Sequence, residues 1–102
     1  MSYYVFAYHG GKIPESPEEG AKHMAKFEAW VGGLGDAVVN PGHPLGKSRT
    51  VSSSGVSDDG GLNTLIGFSI VKADGMDATL EMAKGYPHLE IGTVEVVEMM
   101  GM

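Results

Sequence analysis

The stretch Ser16 to Gly35, SPEEGAKHMAKFEAWVGGLG, contains the strongest helix signal in the chain. Ser16 is a favourable N-cap residue, and Pro17 suits the first helical position, where a missing N–H is tolerated. Glu19 follows the cap by three residues and completes a capping box. We therefore predict a helix that begins at Pro17 and ends in the glycine-rich segment 32–35.

Apolar residues recur through this helix at spacings of three and four, namely Met24, Phe27, Val31 and Leu34. This spacing predicts an apolar face that packs on another element. His23 and Trp30 are seven residues apart, so two helical turns place them at nearly the same angle, on the flank of that face. The sequence thus places an imidazole at the edge of the predicted core.

Segments rich in aromatic and β-branched residues predict strands. Tyr3 to Tyr8 is too short for a helix, and alternation places Tyr4 and Phe6 on the same face as Tyr8. Leu65 to Lys72 predicts a buried strand with a bulge or a close backbone approach at Gly67. Weaker patterns predict strands over Asp36 to Asn40, over Gly46 to Ser54 as a third strand or an edge ribbon, and over Gly92 to Met99.

A second, shorter helix is predicted after Asp74, which is a suitable cap. Its apolar face carries Met76, Leu80 and Ala83, and Gly85 and Pro87 end it. A polar turn is predicted at Asp58-Asp59-Gly60-Gly61. In the last strand, Glu95 and Glu98 fall on opposite faces, which predicts an irregular or edge position for its end.

The predicted order is strand, helix, two strands, helix, strand, which defines an α+β chain of βαββαβ type. Right-handed crossovers then give one antiparallel sheet with both helices on one face. The first strand is apolar on both faces, so the second sheet face also needs a cover. We predict that a second copy of the chain supplies it, in a homodimer with a shared barrel-like core.

Composition excludes several classes of function. The 102 residues are enough for one domain, 1–102, and no more. Thirteen acidic and seven basic side chains give a net charge of −6, which disfavours nucleic-acid and anionic-membrane partners. The absence of cysteine excludes thiolate chemistry, and neither a secretory signal nor a membrane-spanning segment is apparent. We therefore predict a cytoplasmic protein.

His23 is the strongest candidate for chemistry, because a helical imidazole facing a sheet can act as a general base near neutral pH. The alternative is an edge histidine that bonds to backbone. Asp36, at the start of a predicted strand, is the candidate that orients this ring, or else it is a solvated turn residue. His88 either points into the same cleft or makes a structural hydrogen bond after the second helix.

Other residues are candidates for binding a small ligand. Aromatic side chains that would line a pocket between helix and sheet, or simply fill the core, are Trp30, Tyr4, Phe6, Tyr8 and Phe68. Asn40 and Ser69 are polar residues in otherwise apolar strands, where they would orient a ligand or satisfy neighbouring backbone groups. The four histidines, His43 among them as a loop residue, lack zinc-ligand spacing, and no phosphate-binding glycine pattern occurs. We predict no metal and no cofactor.

Two long stretches carry a resemblance to a known family. They are GFSIVKADGMDATLEMAKGYPHLEIGTVEVVEM from Gly67 to Met99, and the upstream run SPEEGAKHMAKFEAWVGGLGDAVVNPGHPLGKS. Together they resemble the YCII-related family. The resemblance implies a ferredoxin-like fold in a dimeric α+β barrel. It also implies a histidine–aspartate catalytic pair, which falls on His23 and Asp36, and dehydrochlorinase-type activity occurs among relatives. An Asp-Gly-Pro-Phe element found in some relatives has no counterpart at Asp58-Asp59-Gly60-Gly61.

Three functional hypotheses follow. The first is a small enzyme that uses His23 and Asp36 for acid–base chemistry on a small cyclic or aromatic molecule. The second is a non-catalytic dimer that binds or senses a small ligand in the same pocket. The third is a dimerisation module without a pocket.

Overall fold

The computed structural model describes residues 2–10, 16–46, 48–57 and 64–100. These ranges contain two α-helices and six strands, with a short 3-10 helix, Gly35–Ala37, after the first α-helix. In chain order the elements are β1 (Ser2–Gly10), α1 (Pro17–Leu34), β2 (Val38–Asn40), β3 (Thr50–Ser52), β4 (Gly55–Ser57), β5 (Leu65–Ala73), α2 (Met76–Ala83) and β6 (Gly92–Glu98).

The main sheet has four antiparallel strands in the order β2-β5-β1-β6. It keeps the predicted order of strand, helix, two strands, helix, strand, with β2 and β5 as the two middle strands. Among the described residues, the segment Gly46 to Ser54 contributes β3, which lies outside this sheet. It pairs with β4 in a separate two-stranded hairpin of exposed residues.

The start of α1 confirms the prediction. The Glu19 N–H donates to the Ser16 hydroxyl oxygen at 3.1 Å, and Pro17 is the first helical residue. The helix ends at Leu34, where Gly35 adopts a φ of +58° and its N–H bonds to the carbonyl of Gly32. A left-handed φ of this kind is favourable only for glycine, which explains where the helix stops.

The face that α1 packs on the sheet differs from the prediction. Phe27, Trp30 and Leu34 pack against the core, whereas Met24 is 41% exposed. Trp30 therefore lies within the packed face rather than on its flank. Successive residues of a helix are separated by about 100° around its axis. The apolar pattern therefore predicts which side of the helix faces the sheet only to within about one residue.

The core lies on one side of the sheet. Tyr4, Phe6 and Tyr8 of β1 are all buried on this side, which confirms the predicted alternation. Side chains of both helices pack on this cluster, Trp30 from α1 and Ala83 from α2 among them, so the two helices share one face of the sheet.

Details of four elements follow from local backbone bonding. The close backbone approach predicted at Gly67 is confirmed, and a bulge lies at the adjacent Ile66, because Tyr8 pairs with Gly67 and His9 pairs with Leu65. Asp36 lies in the 3-10 helix, so β2 begins at Val38 rather than at Asp36. Gly75, not Asp74, is the N-cap of α2. β6 pairs with β1 in unbroken register through Glu98 and is an edge strand of the sheet, so the predicted edge position is confirmed and the alternative of an irregular end is wrong.

The polar turn predicted at residues 58–61 lies outside the described residues. Within the described ranges, neither helix has the length and apolar character that crossing a membrane requires.

Candidate functional site

A cavity of about 500 Å³ opens between the N-terminal half of α1 and the β2 side of the sheet. The segment that follows β2, the start of β5 and the turn after α2 complete its walls. Its lining residues are Tyr8, Gly20, His23, Met24, Phe27, Glu28, Pro41, Gly42, His43, Pro44, Ile66, Gly67, Phe68, Tyr86 and His88. Aromatic and aliphatic surface dominates, and a few polar side chains come from four different parts of the chain: α1, β1, the segment after β2 and the turn after α2.

The segment Pro41 to Pro44 is held against β5 by two glycines. Gly42 has a φ of +78°, and a Cβ there would overlap the carbonyl oxygen of Phe68. Its N–H donates to the side-chain oxygen of Asn40 at 2.8 Å. At Gly67, a Cβ would meet Tyr8 and the backbone of the same segment within 3.8 Å. Without side chains at these two positions, the segment approaches β5 closely and forms a wall of the cavity.

A buried hydrogen-bond chain joins this wall to β1. The Tyr8 hydroxyl donates to Ser69 Oγ at 2.8 Å, and the Ser69 hydroxyl donates to the carbonyl oxygen of Pro41 at 2.8 Å. A carbonyl oxygen only accepts, so the direction of both bonds is fixed. Burial raises the pKa of Tyr8 to about 12, with a smaller opposing effect from the Ser69 hydrogen bond.

Aromatic rings form the floor of the cavity. Tyr8 and Tyr86 stack with centroids 4.9 Å apart, and the Phe27 ring meets Tyr8 edge-on at 5.5 Å. Offset stacked and edge-to-face pairs stabilise such clusters beyond simple burial. Burial also raises the pKa of Tyr86, so both phenols stay neutral over the ordinary pH range.

Two histidines lie in ring contact at the cavity. The His23 and His88 centroids are 4.8 Å apart, and His88 Nε2 lies 3.0 Å from the backbone oxygen of His23. Because that oxygen accepts, His88 Nε2 carries the hydrogen, and in a neutral ring Nδ1 is then the free acceptor. His23 Nε2 lies 3.8 Å from a carboxylate oxygen of Glu19, one helical turn earlier.

The predicted site residues separate into two groups. His23, His88, Tyr8 and Phe68 line the cavity. The other predicted residues have contacts elsewhere: Tyr4 and Phe6 are buried in the core, Trp30 Nε1 donates to the carbonyl of Met82 at 3.2 Å, Ser69 bridges Tyr8 and Pro41, and Asn40 bonds to Gly42.

Asp36 is exposed in the 3-10 helix after α1, and among the described residues it is not part of the cavity lining. The carboxylate beside His23 is that of Glu19. Glu19 and His23 are four residues apart, which is the spacing of a helical i,i+4 pair, and this spacing is the sequence signal for their contact. Glu19 also belongs to the capping box, the only role assigned to it from the sequence.

Two further parts of the site were missed. Tyr86 stands between a helix-ending glycine and Pro87, a position that indicates a turn but not which way the ring points. For the Pro41 to Pro44 segment, the sequence predicts only that His43 is a loop residue. The paired prolines and the glycine are typical of a fixed, non-regular segment, and that is the signal that would have identified it.

Across the described ranges, no three or more His, Asp or Glu side chains are grouped in a way that would hold a metal ion. No protein-family model matches the chain, and no curated protein matches it. The cavity therefore has to be interpreted from its own geometry and chemistry.

Proposed function

We propose that this protein binds a small, largely apolar ring compound in the cavity. The observation that carries the proposal is a cavity of about 500 Å³ with mainly apolar walls and a few polar groups. Small-molecule sites have this character and occupy roughly 300 to 1,000 Å³. The stacked and edge-on arrangement of Tyr8, Phe27 and Tyr86 favours a planar ring as the ligand, because aromatic faces and edges remain available along the same floor.

The test uses two glycines of the same helix. Gly20 lines the cavity, whereas Gly32 faces open space near the other end of α1. Leucine is a better helix former than glycine by roughly 0.8 kcal/mol, so neither Gly20→Leu nor Gly32→Leu is expected to weaken the helix. Gly20→Leu places a bulky side chain at the cavity wall and should abolish binding, and Gly32→Leu should leave it unchanged.

Binding is measured by amide chemical-shift changes in the labelled protein on addition of a mixed set of small aromatic and cyclic compounds. We expect the changes to cluster at Ile66, Gly67 and Tyr86 in the unmodified protein. The proposal fails if no compound perturbs these amides, or if Gly20→Leu binds as tightly as Gly32→Leu.

Acid–base catalysis at His23 is the second candidate function. It is favoured by the position of the Glu19 carboxylate 3.8 Å from His23 Nε2, which pairs a candidate base at the cavity with an acidic side chain one helical turn away. Glu19 then has the role that the sequence assigned to Asp36. The enzyme would move a proton on the bound ring compound.

Hydrogen–deuterium exchange at ligand carbon atoms tests this second function. A ligand identified above is incubated with the protein in D₂O, and loss of its C–H signals is followed by NMR. His23→Gln and Glu19→Gln should both slow the exchange, while Asp36→Asn should not. If Asp36→Asn slows the exchange and Glu19→Gln does not, Asp36 is the partner of His23. Exchange that is independent of His23 would rule out catalysis by this ring.

We also propose that two copies stack their open sheet faces, in the ferredoxin-like dimeric barrel that the resemblance to the YCII-related family implies. The β2-β5-β1-β6 order supports this proposal. So does a contiguous apolar patch on the face opposite the helices, where Val5 pairs with Ile70 on one side and with Val97 on the other. Val97 is 43% exposed in the single chain.

Sedimentation equilibrium tests the dimer. Ile70→Asp puts a charge into the patch and should give a folded monomer or abolish folding. Val51→Asp is the matched control, because Val51 is 77% exposed on the separate hairpin and its change should leave assembly intact. A monomeric unmodified protein, or an Ile70→Asp dimer as stable as the original, would contradict the stacked-sheet arrangement.

A further inference from the structure

We infer that the ligand of this cavity is a hydrogen-bond donor, a neutral ring compound that carries an O–H or N–H group, and not an anion. This inference rests on the proposed binding function and specifies its ligand class. It follows from the positions of the protons on the polar groups around the cavity.

Tyr8 offers only lone pairs to a ligand. The carbonyl of Pro41 accepts the Ser69 proton, so Ser69 accepts the Tyr8 proton. The phenolic proton is therefore engaged in a bond of 2.8 Å within the wall. Because the pKa of Tyr8 is raised to about 12 by burial, the phenol remains protonated and this arrangement persists at neutral pH.

His88 has the same character. Its Nε2–H is directed to the backbone oxygen of His23 at 3.0 Å, which leaves Nδ1 of the neutral ring as an acceptor. His23 makes a longer contact, since its Nε2 lies 3.8 Å from a carboxylate oxygen of Glu19. Of the two rings in contact, His88 therefore has its Nε2–H engaged by a protein acceptor, and His23 has a carboxylate near the same ring atom.

The charges at the cavity and on the whole chain also disfavour an anionic ligand. Glu28 is the carboxylate that lines the cavity, and no described lysine or arginine is among the lining residues. The chain as a whole carries a net charge of −6. His43 also lines the cavity, and a neutral imidazole donates from one ring nitrogen and accepts at the other. An anionic ligand would therefore meet the Glu28 carboxylate and mostly acceptors, whereas a donor finds the lone pairs of Tyr8 and His88.

Three probes separate the possibilities at pH 8, where an ordinary imidazole is neutral. Indole carries one N–H donor, benzofuran has the same shape with an oxygen in its place, and benzoate is an anion. We expect indole to bind about tenfold more tightly than benzofuran, as one well-made hydrogen bond provides, and benzoate to bind most weakly. Benzofuran is the more apolar of the two bicyclic probes, so simple hydrophobic partition predicts the opposite order.

Two variants locate the acceptor. Tyr8→Phe removes the phenolic oxygen, and His88→Phe removes the imidazole. At least one of them should reduce the preference for indole over benzofuran to below about threefold, since the lost hydrogen bond is its source. Tyr3→Phe is the control for the first change, because Tyr3 lies on the opposite face of β1 and is 46% exposed.

The outcomes distinguish this inference from the proposed function. If none of the probes perturbs the amides of Ile66, Gly67 and Tyr86, both the binding function and the donor inference fall. If the probes bind but benzofuran or benzoate matches indole, the binding function stands and the donor inference is wrong. The probe series needs only the unmodified protein, so it decides the matter even if a variant fails to fold.

Discussion

The two halves of α1 pack in opposite ways on the same sheet. In the C-terminal half, Trp30 stacks on Phe6 with centroids 5.9 Å apart, and its indole N–H bonds to the last turn of α2 at Met82. In the N-terminal half, His23 and Met24 border an open cavity. One helix thus closes the core at one end and leaves a cavity at the other.

Two glycines account for this difference. Gly85 lets α2 end directly under the indole, because a Cβ at this position would lie 2.9 Å from Trp30 Nε1. At the other end of the helix, the absence of a side chain at Gly42 lets the segment Pro41 to Pro44 pack closely on β5. These two glycines therefore determine where α1 packs closely on the core and where a cavity remains beside it.

The largest expected effect is a contrast between truncations in the two halves. Trp30→Ala removes a stacked ring and an indole hydrogen bond, so we expect the free energy of unfolding to fall by about 3 to 4 kcal/mol. Met24→Ala removes a side chain that lines the cavity and is 41% exposed, and it should lower that free energy by less than about 1 kcal/mol. Urea denaturation measures both. Equal losses would show that the cavity half is packed as tightly as the closed half.

The next effect concerns the wall of the cavity. Gly42→Ala needs a left-handed φ and meets the backbone of Phe68, so we expect a loss of about 2 to 3 kcal/mol and altered amide signals along β5. Gly33→Ala is the control, because Gly33 is helical with open space around it and should gain up to about 1 kcal/mol. A neutral Gly42→Ala would mean that the wall segment is not held as described.

The smallest effect is a pH dependence of stability. The folded protein holds the Tyr8 proton up to a pKa of about 12, whereas the unfolded chain releases it near 10. The contribution of Tyr8 is therefore fully present below pH 10 and is lost as pH rises from 10 to 12.

We expect a decrease of about 1 to 2 kcal/mol over that interval, less than the full equivalent of the shift because the Tyr8 ring borders the water-accessible cavity. Urea denaturation at pH 9 and pH 11 measures the decrease, and Tyr8→Phe should reduce it while Tyr3→Phe should not. A slope unchanged in Tyr8→Phe would show that another group controls alkaline stability.

Local signals predicted the elements that local chemistry determines. The cap of α1 at Ser16 and the alternation of Tyr4 and Phe6 in β1 follow from bonds and side-chain directions within a few residues, and both are confirmed. A glycine inside an apolar strand indicates a bulge or a close approach, and at Gly67 the close approach occurs, with the bulge at the neighbouring Ile66.

Features that depend on distant partners could not be predicted. Whether Trp30 or Val31 faces the core depends on the carbonyl of Met82, 52 residues away. The segment 41–44 forms a cavity wall because it packs on β5, which is distant from it in the sequence. For the same reason the sequence suggested His23 and His88 as candidates but did not indicate that their rings meet, since their contact spans 65 residues.

Trp30, whose indole N–H bonds to Met82, serves as an intrinsic fluorescent reporter of the structure. The chain contains one tryptophan, so its fluorescence arises from a single position, and that position lies where α1, α2 and β1 meet. Trp30 also contacts Tyr8 and Tyr86, both of which line the cavity. Unfolding and the arrival of a ring compound should each change its emission, so stability and occupancy can be followed in the same unlabelled sample.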